Sequence, residues 1–146
     1  MMSVGQACAR HVDQVTAGES VQTAASRMRD RMVGSLVICD ETNRPIGIVT
    51  DRDLVTRVVA TGLDASSTSI GEVMTKSPHC IDESAAMQKA LVEMRTGPYR
   101  RLPVIKGDGQ LVGMITLDDV LHHLAEEFLQ IGCLVRRESP TELATT

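Results

Sequence analysis

Sliding the 146-residue sequence along itself by 66 positions aligns Val4 to Val58 with Ile70 to Leu124 without a gap. Identical pairs run the length of the alignment: Gly5/Gly71, Gln22/Gln88, Ala24/Ala90, Met28/Met94, Leu36/Leu102, Gly47/Gly113, Thr50/Thr116 and Asp53/Asp119. Apolar character is kept at Val15/Ile81, Ile46/Val112, Val49/Ile115 and Leu54/Val120. Two copies of one supersecondary unit explain the pattern, so whatever one copy folds into must be built twice.

Within each copy the periodicity changes in the same order. Val21, Ala24, Ala25, Met28 and Met32 recur at helical spacing, matched by Met87, Ala90, Leu91 and Met94, which predicts an amphipathic helix in each copy. The pattern then turns strand-like: Leu36 to Cys39 and Ile46 to Val49 flank the turn "DETNRP", and Leu102 to Ile105 and Leu111 to Ile115 flank "KGDGQ". These read as two hairpins. A second helix is expected from Asp51 and from Leu117, and short extended pieces at Val12 to Val15 and Pro78 to Ile81 precede the first helices.

Each copy is thus a β-α-β-β-α unit in an α/β (α+β) chain. The expected organisation is one repeat over residues 4–60, a linker over 61–69, a second repeat over 70–125, and a C-terminal helix extension with a polar tail over 126–146. A small sheet with helices on one face leaves its other face bare, so the two units are expected to pack sheet to sheet around an approximate two-fold axis. That packing leaves clefts between them.

Composition narrows the partners. The aromatic share is 1%, Tyr99 and Phe128 alone, so the core is aliphatic. A formal charge of −4 without a basic stripe argues against nucleic acid. No apolar run approaches the roughly 20 residues that span a bilayer, and "MMSVGQACARH" lacks a signal-like apolar segment. A cytoplasmic protein with no membrane partner is expected. Cys8, Cys39, Cys80 and Cys133 lie far apart without C-x-x-C spacing, as free thiols in a reducing compartment would.

The stretch "GIVTDRDL", Gly47 to Leu54, returns as "GMITLDDV", Gly113 to Val120. Thr50 with Asp53, and Thr116 with Asp119, have the spacing of a capping box, in which hydroxyl and carboxylate satisfy the free N–H groups of a helix start. A cap alone does not require Gly47 and Gly113. A strand glycine weakens a sheet unless a ligand or another backbone comes close.

With "SVQTAASRM", "GSLVICD" and "GIVTDRDL" in the first copy, and "AMQKALVEM", "RRLPVIK" and "GMITLDDV" in the second, the chain resembles the tandem CBS-domain pair, or Bateman module. The resemblance implies clefts that bind adenosine-containing nucleotides of the AMP, ATP or NAD type, with no cofactor required. It places Asp53 and Asp119 on ribose hydroxyls, and Thr50 and Thr116 toward ribose or phosphate. Ile48 and Met114 become apolar surface for the base, and Arg52 and Asp118 lie beside the ribose. Arg52 suits phosphate; Asp118, beside Asp119, repels it unless a cation lies near. Arg100 and Arg101 stand where the family often grips phosphate, whereas the first copy has Gly34 and Ser35, so unequal clefts are expected. The resemblance also implies a homodimer through helical faces and a downstream protein that reads the occupancy.

No nucleophilic triad, P-loop or isolated acidic pair is signalled, which speaks for a sensor and against an enzyme. Two alternatives remain: a scaffold or dimerisation module with empty or degenerate clefts, and a redox or metal sensor using the cysteines with His11, His79, His122 and His123. Asp118 with His122 and Asp119 with His123 share helix faces, but two ligands do not make a metal site. Leu117, Leu121, Leu124, Phe128 and Ile131 recur near a 3.5-residue period, which marks a seam that packs either on the module or on another subunit.

Overall fold

The computed structural model describes residues 2–97 and 99–137. A single turn, α1 (Val4–Ala7), opens the chain, followed by helix α2 (Val21–Arg31), the hairpin β1 (Ser35–Cys39) and β2 (Pro45–Thr50), and α3 (Asp51–Leu54). The second copy runs α4 (Ile70–Val73), β3 (Thr75–Lys76), β4 (Ile81–Asp82), α5 (Met87–Thr96), β5 (Arg101–Ile105), β6 (Leu111–Thr116) and α6 (Leu117–Arg137).

Helix α2 begins where Ser20 accepts from the Thr23 N–H at 3.1 Å. The N–H groups of Val21 and Gln22 donate to Thr68 and Ala65 of the linker at 2.9 and 3.0 Å. The linker therefore takes up donors that a helix start leaves free. The second helices differ between copies. After α3 the chain continues as a π-helical turn, Val55–Val59, closed by the Ala60 N–H on the Val55 carbonyl at 2.9 Å. Its sequence, Val-Thr-Arg-Val-Val, is rich in β-branched residues that crowd a regular helix. The leucine-rich α6 instead continues as a regular α-helix through 21 residues.

The sheets reveal an exchange between the copies. In the first sheet β1 pairs antiparallel with β2, Leu36 opposite Val49, and the third strand is β3 of the second copy, with Thr75 opposite Ile48. In the second sheet β4 lies parallel to β5 and β5 antiparallel to β6. There Ala9, from the start of the chain, bridges to Met114 with bonds of 2.9 and 3.0 Å. Ala9 and Thr75, like Met114 and Ile48, are 66 positions apart, so the exchange is symmetric.

The short leading helices follow the same rule. Val4 and Gly5 donate to the carbonyls of Ala85 and Glu83 at 2.8 and 2.9 Å, and Ile70 and Gly71 donate to those of Glu19 and Ala17 at 2.9 Å. Val4 is buried with Ile81, Leu102, Val104 and Ile115 of the second copy. Ile70 and Val73 are buried with Val15, Leu36, Ile38 and Val49 of the first. Each copy's sheet and core are thus finished by the other's leading segment. Between the sheets a third cluster, Val37, Leu111 and Met114, joins their bare faces, with the Leu111 N–H on the Asn43 carbonyl at 2.9 Å.

This exchange accounts for the strand glycines, which the sequence associates with a nucleotide motif. A Cβ on Gly113 would lie 2.6 Å from Cys8 Sγ and 2.7 Å from the Ala9 carbonyl, and one on Gly47 would collide with Met74. Cys8 and Met74 belong to the exchanged segments. The close neighbour at each glycine is the leading segment of the other copy.

Gly113→Ala is expected to cost about 1–3 kcal/mol, as overpacking does. Gly18→Ala, where a Cβ would meet nothing within 4 Å, should stay within about 0.5 kcal/mol of the parent. Urea denaturation of both variants checks this; equal losses would contradict the crowding.

Candidate functional site

Thr50 ends β2 and caps α3. Its N–H donates to Asp53 Oδ2 at 2.9 Å, and the Asp53 N–H donates to Thr50 Oγ1 at 3.1 Å. Thr116 and Asp119 repeat the arrangement at 2.9 and 3.2 Å. The capping boxes are formed, and each engages one carboxylate oxygen, leaving Oδ1 for another partner.

At Asp53 that partner is Arg57, one helical turn on, with Nη2 3.3 Å from Oδ1. Arg57 also donates to the Val73 carbonyl at 2.7 Å and to Thr75 Oγ1 at 3.0 Å, tying the helix to the exchanged segment. Position 123, the counterpart of Arg57, is a histidine, 3.8 Å from Glu126. Among the described residues no cation pairs with Asp119.

A cavity of about 780 Å³ opens beside Thr50 and Asp53. Its walls come from three places. Ile48, Thr50 and the start of α3, with Arg52 and Arg57, form one side; Thr75 to His79 of the exchanged segment form the second; Tyr99, Arg100, Arg101 and Pro103 form the third. His79 and Tyr99 stack with centroids 5.0 Å apart and planes 6° from parallel, and His79 Nε2 lies 2.8 Å from Glu93 Oε2. Ser77 turns the exchanged segment with a left-handed φ of 50°.

Of the residues singled out in the sequence, Ile48, Thr50, Arg52, Asp53, Arg100 and Arg101 line this one cavity, while Met114, Thr116, Asp118 and Asp119 do not. Met114 is buried between the sheets. Arg100 and Arg101, from the second copy, thus stand with the Thr-x-x-Asp motif of the first. Arg52, Arg57, Lys76, Arg100 and Arg101 face two carboxylates, Asp51 and Asp53, which makes the cavity cationic. The sequence reading missed Arg57, Lys76 and Tyr99. Arg57 carries a signal, its i+4 spacing from Asp53; Lys76 enters through the exchange, and Tyr99 stands beside Arg100.

The symmetry-related positions are chemically different. Gly34 and Ser35 replace the arginine pair, Asp118 replaces Arg52, and Asp13 replaces His79. Burial works against the Asp13 carboxylate, yet hydrogen bonds from Arg31 and His11 hold it below its ordinary range, with Arg31 Nε at 2.8 Å. The cysteines are free. Burial pushes the Cys39 thiol up to about 11 and those of Cys8 and Cys80 in the same direction, which keeps them protonated and slow to react. Among the described residues no three His, Cys, Asp or Glu side chains gather as a metal site, and no helix is long and apolar enough to cross a membrane.

Comparison with known proteins agrees with this architecture. The sequence model of the CBS domain matches residues 4–60 and 70–126. Hypoxic response protein 1 of Mycobacterium tuberculosis is 34% identical over 149 residues, covering 99% of this chain and 96% of that protein. A crystal structure of Hypoxic Response Protein I with two coordinated zinc ions superposes with a TM-score of 0.76 at 33% identity, over 84% of this chain and 98% of that one. An uncharacterized protein of Methanopyrus kandleri is 33% identical over 120 residues, 82% of this chain but 61% of its own length. CBSX2 in complex with AMP shares the fold, with a TM-score of 0.74 at 24% identity over 86% of this chain and 98% of that one.

Asp53→Ala and Asp119→Ala should each cost about 1 kcal/mol, the usual cost of a lost helix cap, without unfolding the protein. Urea titration of each variant measures it; unchanged stability would mean the reciprocal bonds contribute nothing.

Proposed function

This chain belongs to the CBS-domain family, and we propose that it is a regulatory module that binds an adenine nucleotide of the AMP, ATP or NAD type in the cleft between its two copies. The observation that carries this is the meeting of Thr50 and Asp53 of one copy with Arg100 and Arg101 of the other around a cavity of ligand size.

Each wall has a role in this reading. Asp53 Oδ1 accepts from a ribose hydroxyl, with Arg57 holding the carboxylate in place. Ile48 and Pro103 offer apolar surface to the base. Arg100 and Arg101 make charge-assisted bonds to phosphate, with Lys76 as a further cation. The related cleft at Thr116 and Asp119, with Asp118 and no arginine pair, takes charged nucleotides weakly. The fold of CBSX2, described in complex with AMP, supports the nucleotide class.

Regulation follows from the composite walls. A ligand that touches both copies favours the relative placement in which it touches both best, and so shifts the population of module conformations. A partner protein that distinguishes those conformations reads the occupancy. No catalytic step is assigned; the module acts in the cytoplasm and pairs with a second copy.

Titration with adenosine, AMP, ATP and NAD in a thermal-shift assay tests this. A ligand at 100 times its dissociation constant should add about 2.7 kcal/mol of stability. No response to any of them would favour the scaffold with empty clefts. Arg101→Ala should weaken AMP and ATP binding about ten- to a hundredfold, as loss of a charged hydrogen bond does, while sparing adenosine. Equal losses would make Arg101 merely structural.

A further inference from the structure

Three aliphatic hydroxyls line the cationic cavity, those of Thr50, Thr75 and Ser77. Two are in use. Thr50 Oγ1 accepts from the Asp53 N–H at 3.1 Å, and Thr75 Oγ1 accepts from Arg57 at 3.0 Å. Ser77 is exposed, and among the described residues its hydroxyl has no hydrogen-bond partner. Its backbone is fixed by a left-handed φ of 50° and by the bond from its N–H to the Ile46 carbonyl at 3.1 Å. Residues other than glycine rarely hold such a φ, and backbone of this kind gathers at functional positions. Pro78 follows directly.

The same cavity holds five cations, Arg52, Arg57, Lys76, Arg100 and Arg101. Among the described residues Arg57 alone of the five pairs with a carboxylate, Asp53 at 3.3 Å. The related turn of the first copy has His11 and Val12 where Ser77 and Pro78 stand, and His11 Nε2 lies 3.3 Å from Asp13 and 2.7 Å from Arg31. Of the two turns, the one facing the cations carries the free hydroxyl.

We propose that Ser77 is a phosphorylation site whose phosphate is held by the arginines of this cavity and so closes the cleft to nucleotides. In the modifying step Ser77 Oγ attacks the γ-phosphorus of ATP bound to a serine kinase that reads a Ser-Pro pair. The bond from that phosphorus to its bridging oxygen breaks, ADP leaves, and the hydroxyl proton passes to the base of the kinase. The product brings about two negative charges and three acceptor oxygens. Facing guanidinium groups it gains charge-assisted, bidentate bonds, in the place a nucleotide phosphate would take. Retention of the phosphate follows from the cations alone; its effect on the cleft rests on the nucleotide reading of the site.

Measurements on the full chain separate the two. With phosphoserine incorporated at position 77, the phosphorus-31 resonance should titrate at least about one pH unit below that of phosphoserine in a short peptide, as nearby opposite charge produces. Arg100→Ala with Arg101→Ala should return it to the peptide value. AMP affinity should fall about ten- to a hundredfold, as when a charged hydrogen bond is lost. A peptide-like titration would overturn the proposal whatever the nucleotide does, and so would a lowered titration with AMP affinity unchanged. A lowered titration in a chain whose unmodified form binds no AMP would count for the phosphate site and against the nucleotide reading. A proline-directed serine kinase with ATP should modify Ser77 of the folded chain, in a Ser139→Ala background because Pro140 follows Ser139. Peptide mass spectrometry that finds Ser77 unmodified would rule it out as the site.

Discussion

The main-chain hydrogen bonds by which each copy grips the leading segment of the other hold the rest of the structure in place. Val4 and Gly5 on Ala85 and Glu83, and Ile70 and Gly71 on Glu19 and Ala17, are one contact made twice. Once the segments are exchanged, Cys8 and Met74 come to lie over β6 and β2, and a Cβ at position 113 or 47 would collide with them. Gly5 and Gly71 answer to the same constraint, since a Cβ there would approach the Glu83 and Ala17 carbonyls at 2.9 and 3.2 Å. Two of the repeated identities, four glycines in all, thus record close packing between the copies.

The cleft is a by-product of that packing. Thr75 pairs with Ile48, which carries the chain past Asp53 and brings Lys76 and His79 to the wall opposite α3. Arg57 fastens the seam by bonding Asp53, Val73 and Thr75 at once. Symmetry in the backbone then leaves the side chains free to diverge: arginines face the first cavity, whereas glycine, serine and a third aspartate occupy the matching positions of the second. One scaffold offers two electrostatic environments.

Much of this was legible in the sequence. The offset of 66 gave the number of units, the switch from helical to alternating spacing gave the hairpins, and Thr-x-x-Asp gave the starts of α3 and α6. The exchange was not legible, because a symmetric swap leaves the self-similarity of the sequence unchanged: Val4 aligns with Ile70 whichever sheet either one supports. For that reason the glycines did not by themselves separate a ligand from a close backbone, and Lys76 went unnoticed. The seam of α6 was visible as a period, but periodicity does not say whether a stripe meets its own module or another molecule. Its exposure decided that it does not rest on the module.

Hydrogen exchange measured by mass spectrometry on two conservative core variants tests the exchange of segments most directly. Val4→Ala should loosen β4, β5 and β6 while β1 and β2 keep their protection, and Ile70→Ala should do the reverse. Loss of protection in β1 and β2 on changing Val4, the sheet of its own copy, would contradict the account.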